Sequence, residues 1–230
     1  MTTFASVFPI LCWLVYNFGV PFVERRRPSL SVIMSMQRRR WVANATRRET
    51  PLDAILSGNL MGSVSFLAST SVLLILAIFA SFGQLPTLVR TLSTFGLGDG
   101  YTPIDMGVHL LVLLAIFVTS FFAFTLSLRQ FNHFCIMLGA ISHDVPATED
   151  EIEGIAMLNS LAAKNFNSGI RAYYFAVPAV AWFGSPWLSI GVTIVTLGFI
   201  IHREFFSTAH RIAASVQVVA ARRDRDQQPL

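Results

Sequence analysis

Asn59, Arg129, Asn132, His133, Arg171 and Glu204 are the polar residues able to carry chemistry in a chain otherwise built of apolar runs. Arg129, Asn132 and His133 stand at i, i+3 and i+4, one face of a helix. His202 and Arg203 precede Glu204 at the end of another apolar run. Three chemistries suit this set. The first, which the residues favour, is a latch: Arg129 and Arg171 pair with Glu204, tie helices together and meet anionic headgroups. The protein is then a non-enzymatic scaffold or subunit of a membrane assembly. The second is a cytoplasm-facing pocket for a small anionic or amphiphilic ligand, as in a transporter. Against it, no helix carries an acid at mid-span and no inverted repeat is visible. The third is a haem or metal on His133 and His202, for which no His-x-x-His or His-Glu spacing speaks. No nucleophile elbow or Cys-His pair is present, so no catalytic residue, metal or cofactor is expected.

The elements that hold these residues are membrane helices. Only 13% of the 230 residues are charged and 53% are apolar, against about 25% charged in soluble domains. Mean hydropathy is +0.59. Met106 to Leu128 gives a run of 23 residues, apolar or small apart from His109, enough for a hydrocarbon core of ~30 Å at ~1.5 Å per residue. An all-α, polytopic chain with five transmembrane helices is predicted, at about 4–22, 58–82, 105–128, 168–184 and 187–206. Interfacial amphipathic helices are expected at about 28–49 and 149–166, with a short one near 86–95.

Local signals mark the ends. Thr50-Pro51-Leu52-Asp53 and Thr102-Pro103-Ile104-Asp105 each offer a cap, a first-turn proline and an acid. Thr148 to Glu151 reads as a capping box. Asn165 to Gly169 is expected to turn before the chain enters the membrane, and Pro178 to kink the span that follows. Gly58, Gly62, Ser65 and Ser69 form a small-residue face, which predicts that their helix is the best packed. Cys12 and Cys135 are read as free thiols. Residues 1–8 carry no side-chain charge, so no cleavable signal peptide is expected. One domain spans 1–230, with about 220–230 a disordered cytoplasmic tail.

Basic residues set the orientation. With the N-terminus outside and the C-terminus cytoplasmic, sixteen of the seventeen Lys and Arg fall inside and only Arg90 outside. Arg25, Arg26, Arg27, Arg38, Arg39, Arg40 and Trp41 are the expected headgroup-binding set. The partners expected are the bilayer with its anionic headgroups and a membrane protein or second copy. A nucleic-acid role lacks both a known module and aromatic interleaving.

Several blocks are linked by their spacing. They are Arg38-Arg39-Arg40-Trp41, Gly58-Asn59-Leu60-Met61, Leu128-Arg129-Gln130-Phe131-Asn132, Arg171-Ala172-Tyr173-Tyr174-Phe175 and Arg203-Glu204-Phe205. Together they resemble a bacterial and plant family of multi-pass membrane proteins known as domain of unknown function 599. The resemblance implies an integral protein of the bacterial inner membrane. It implies no reaction, substrate or catalytic residue.

Overall fold

The computed structural model describes residues 2–48, 52–98, 100–142 and 144–226, and among them there are eight α-helices and no strand. They are α1 (Thr2–Glu24), α2 (Leu30–Ala45), α3 (Leu52–Phe82), α4 (Leu85–Thr94), α5 (Pro103–Gly139), α6 (Glu149–Ala181), α7 (Pro186–Phe205) and α8 (Thr208–Asp226). The expected cap at Thr50-Pro51 lies outside the described residues. The other caps form: Thr102 with Asp105 and Thr148 with Glu151 make reciprocal capping boxes, and Ser185 accepts from the Leu188 N–H. Two bonds from Thr148 hold the Glu151 carboxyl below its usual pKa.

The α5–α6 pair is the centre. Buried residues of α5 include Leu113, Phe117, Ser120, Phe124, Ser127, Phe131 and Phe134, an alternation of four and three that makes one left-handed seam. On α6 the facing positions include Ile152, Ile155, Asn159, Ala162, Gly169, Ala176 and Ala179. Three hydrogen bonds fix an antiparallel register. They run from His109 to the Ala179 carbonyl (2.7 Å), from Ser120 to the Gly169 carbonyl (3.3 Å) and from Ser127 to the Ala162 carbonyl (2.7 Å). Serine, alanine and glycine along the seam let the backbones come close. α1 and α7 pack on one side, α3 packs on α5, and α2 runs along the first half of α6 with α8 on its far side.

α1, α3, α5 and the stretch from Pro186 to Arg223 are long and apolar enough to cross a membrane. Their outward faces carry large apolar side chains such as Val15, Phe66, Leu73 and Val195, as a lipid-facing surface requires. Three expectations are corrected. α6 runs unbroken from Glu149 to Ala181, because the seam continues through Asn165 to Gly169; there is no separate helix at 149–166. Gly58 and Gly62 face open space, and α3 is the least buried of the four apolar stretches. The close small-residue packing belongs to α5 and α6. α2 ends at Ala45, short of the expected 49.

Asn159 is fully buried on the α6 seam, and both atoms of its amide lack a hydrogen-bond partner among the described residues. An unpaired buried amide costs ~1–3 kcal/mol. Asn159→Leu should therefore raise the unfolding temperature, by the equivalent of ~1–2 kcal/mol. A fall on scanning calorimetry would instead mean that an internal water holds the amide.

Candidate functional site

Of the six predicted site residues the structure brings two together. Arg171 Nη2 lies 3.8 Å from Glu204 Oε1, and both side chains are largely buried. The same Glu204 oxygen accepts from the Ser31 backbone N–H at 3.2 Å. The Ser31 hydroxyl accepts from Asn167 Nδ2 at 2.9 Å. The Arg171 guanidinium also stands 5.2 Å over the Tyr16 ring. The node thus joins α1, α2, α6 and α7, which are far apart in sequence. The Ser31 bond to the carboxylate is charge-assisted, and Arg171 adds an ion pair beyond hydrogen-bond distance. Arg203 donates to the Tyr174 hydroxyl beside it.

Asn59, Arg129, Asn132 and His133 are exposed and do not reach this node. Arg129 also stands far from the node along the helix axis. Ser127 bonds the Ala162 carbonyl, so Arg129 stands near residue 160 of α6, ~16 Å along the helix from Arg171. Arg129 also lies off the buried seam of α5, so it points away from α6. His202 stacks on Phe206 and is exposed.

The basic set is divided. Arg25, Arg26 and Arg27 are exposed, with Arg25 over Phe22 and Arg27 over Phe206. Arg39 pairs with Glu149 (2.5 Å) and Glu153 (2.7 Å) and so clamps α2 to α6. Arg40 is partly buried. Trp41 donates to Asp53 Oδ1 at 2.5 Å and packs on Phe134. Gln37 and Gln217 bond at 2.5 Å, and His210 meets the Pro28 carbonyl at 3.0 Å, which fastens α8 to α2.

Arg38 faces a groove. A cavity of ≈ 710 Å³ opens between the second half of α1, the first half of α2 and the middle of α6. Arg38, Lys164 and Arg171 line it. Sequence reasoning missed Lys164, and the only signal for it is its place on one helix face. Met157, Ser160, Leu161, Lys164, Ser168 and Arg171 recur at three and four residues and form the α6 face away from α5. Arg38 and Lys164 have no hydrogen bond or ion pair among the described residues, and burial pushes the Arg38 guanidinium below its usual pKa.

The opposite end of the bundle is closed by aromatic rings. Trp182 is sandwiched between Tyr101 (4.2 Å) and His109 (4.0 Å), all three buried. The carbonyls at the end of α6 take side-chain donors beside the backbone N–H groups of the turn: Pro178 from Ser189, Ala179 from His109 and, just beyond, Trp182 from Tyr101. A carbonyl at His109 Nε2 places the proton there, which leaves Nδ1 to accept from Ser6. Burial, then the Asp105 carboxylate, push the Tyr101 hydroxyl up to about 12, so it remains a donor. This end is structural.

Among the described residues no group of three His, Cys, Asp or Glu is placed to hold a metal ion. The cysteines are free, with Cys135 3.9 Å from Met61 Sδ. No curated protein and no solved structure matches the chain. Residues 4–209 match the model of the family described as "Protein of unknown function, DUF599", and the chain belongs to that family.

Proposed function

We propose that the protein is an inner-membrane scaffold or assembly subunit with five crossings, its N-terminus outside and its C-terminus in the cytoplasm. The observation that carries this is the length of the α5–α6 pair. Helices of 37 and 33 residues measure ~55 and ~50 Å, against a hydrocarbon core of ~30 Å. About 20 Å of the pair therefore stands beyond the lipid, flanked by α2 and α8 on the arginine-rich side. The fifth crossing is the second half of α6. Its hydrogen bonds to Ser120 and His109 tie it to the apolar half of α5, so the two halves share one environment. The distribution of basic residues supports the orientation, and the exposed Arg25, Arg26 and Arg27 are placed for headgroups.

Arg129, Asn132 and His133 make an exposed polar ridge on the projecting part of α5. Such a ridge suits a polar protein contact. A photoreactive residue at position 132 of the full chain in native membranes should capture a defined protein or a second copy. Capture of lipid alone would refute the scaffold. A reporter fused after Leu230 and thiol labelling between 38 and 48 should both read cytoplasmic.

A further inference from the structure

We propose that the groove between α1, α2 and α6 holds one anionic phospholipid, its phosphate on Arg38 and Lys164 and its chains along Leu14 and Phe18. The ledger of charges leads there. Arg39, Arg48 and Arg171 all have carboxylates within 4.0 Å. Arg38 is half-buried at the groove and has none. Lys164, on the opposite wall, has none either. Of the acids nearby, Glu24 accepts from the Ser29 hydroxyl at 2.5 Å, and Glu204 is engaged by Arg171 and Ser31. Glu24 lines the same groove, so Arg38 and Lys164 face one carboxylate between them and an excess of one positive charge remains, and a guanidinium taken out of water favours an anion beside it.

The shape selects the kind of anion. A space of ≈ 710 Å³ is in the range of ligand sites, ~300–1,000 Å³. Its α1 wall is apolar along Trp13, Leu14, Phe18 and Val20, with Asn17 and Glu24 as its polar members, and Phe18 is 73% exposed. That wall is continuous with Leu11, Val15 and Phe22, which also face outward. A soluble phosphate would leave this apolar rim in water, whereas a lipid covers it with its chains. The floor is polar, with Asn17, Ser35 and Ser160, groups that suit a glycerol and its esters. Trp13 Nε1, behind the same wall, is buried with no acceptor among the described residues. The orientation proposed above decides only which leaflet supplies the lipid; occupancy of the groove does not depend on it, nor on any protein docked on α5.

The test uses the purified full chain in detergent micelles doped with phosphatidylglycerol, with phosphatidylcholine, or with soluble glycerol 1-phosphate. Native mass spectrometry should show one phosphatidylglycerol retained per chain, with phosphatidylcholine stripped under the same conditions. Phosphatidylglycerol should raise the unfolding temperature and glycerol 1-phosphate should not. Arg38→Gln combined with Lys164→Gln should cut retention about tenfold or more, since both phosphate contacts are charge-assisted, while Arg129→Gln leaves it unchanged. Equal retention of the two lipids by the wild-type chain would overturn the proposal, as would full retention by the double variant. Stabilisation by glycerol 1-phosphate alone would overturn the lipid as the source of the anion. The wild-type comparison stands whether or not the double variant folds. Capture of a protein at position 132 is read separately, so a failure here is distinct from a failure of the scaffold.

Discussion

Gly169→Ala should lower the unfolding temperature, although alanine is the better helix former. A Cβ at this position would sit 2.5 Å from Phe124 Cε1 and 2.7 Å from Phe124 Cζ. The ring has nowhere to go: Phe124 is fully buried, with Phe166 5.9 Å and Tyr173 5.7 Å away. Overpacking of this depth costs ~3 kcal/mol, and the gain in helix propensity returns only ~1 kcal/mol. The net loss should be ~2 kcal/mol, and larger for Gly169→Val. Gly191 is the control, since it stands in mid-helix on α7 with nothing within 4 Å of an added Cβ. Gly191→Ala should be neutral or stabilising. If thermal unfolding placed the two alanine variants together, close packing of α5 on α6 would not be what Gly169 provides.

The second large effect is expected at the Arg171–Glu204 node. Arg171→Met leaves Glu204 largely buried with the Ser31 N–H as its remaining partner. Removing one member of a buried pair costs ~3–5 kcal/mol. The 3.8 Å separation and residual exposure reduce this to ~2–3 kcal/mol. Glu204→Met strands Arg171, which keeps the Tyr16 ring, so ~1–2 kcal/mol is expected there. The informative variant is the double one. With both charges gone, no charge is left stranded, and Arg171→Met with Glu204→Met should be more stable than Arg171→Met alone. Strictly additive losses in the unfolding temperature would mean that the two residues act separately and that no latch exists.

The helix ends were legible because caps are local: Thr102 with Asp105 and Thr148 with Glu151 need only a few neighbours in sequence. The chain's apolar runs likewise announced α1, α3, α5 and α7. Other features needed the seam. The boundary expected near Asn165 arose from a change in polarity, yet the spacing Ile152, Ile155, Asn159, Ala162, Gly169 runs straight through it. Polarity reports the surroundings of a helix, whereas spacing reports its neighbour. The glycines of α3 looked like a packing face because small residues say that approach is permitted without saying what approaches. The same seam separates the site residues. Phe124, Ser127 and Phe131 face α6, which turns Arg129, Asn132 and His133 away from it. Arg171 and Glu204 were legible as opposite charges within apolar runs. Lys164 was not, since a lone lysine on an amphipathic stretch looks like any solvated one. The stack of Tyr101, His109 and Trp182 joins residues up to 81 positions apart and has no local signature.

The unbroken course of α6 bears on how the chain enters a membrane. With Lys164 and Arg171 along it, the helix lacks the apolar character that carries α1, α3, α5 and the Pro186–Arg223 stretch, and an arginine near the end of a span has to pair or reach water. A segment of this kind partitions poorly by itself. The α5 seam shelters one of its faces, and Glu204, which neutralises Arg171, arrives only at the end of α7. On the reading proposed above, in which the second half of α6 crosses the membrane, its release into lipid should be coupled to synthesis of α7.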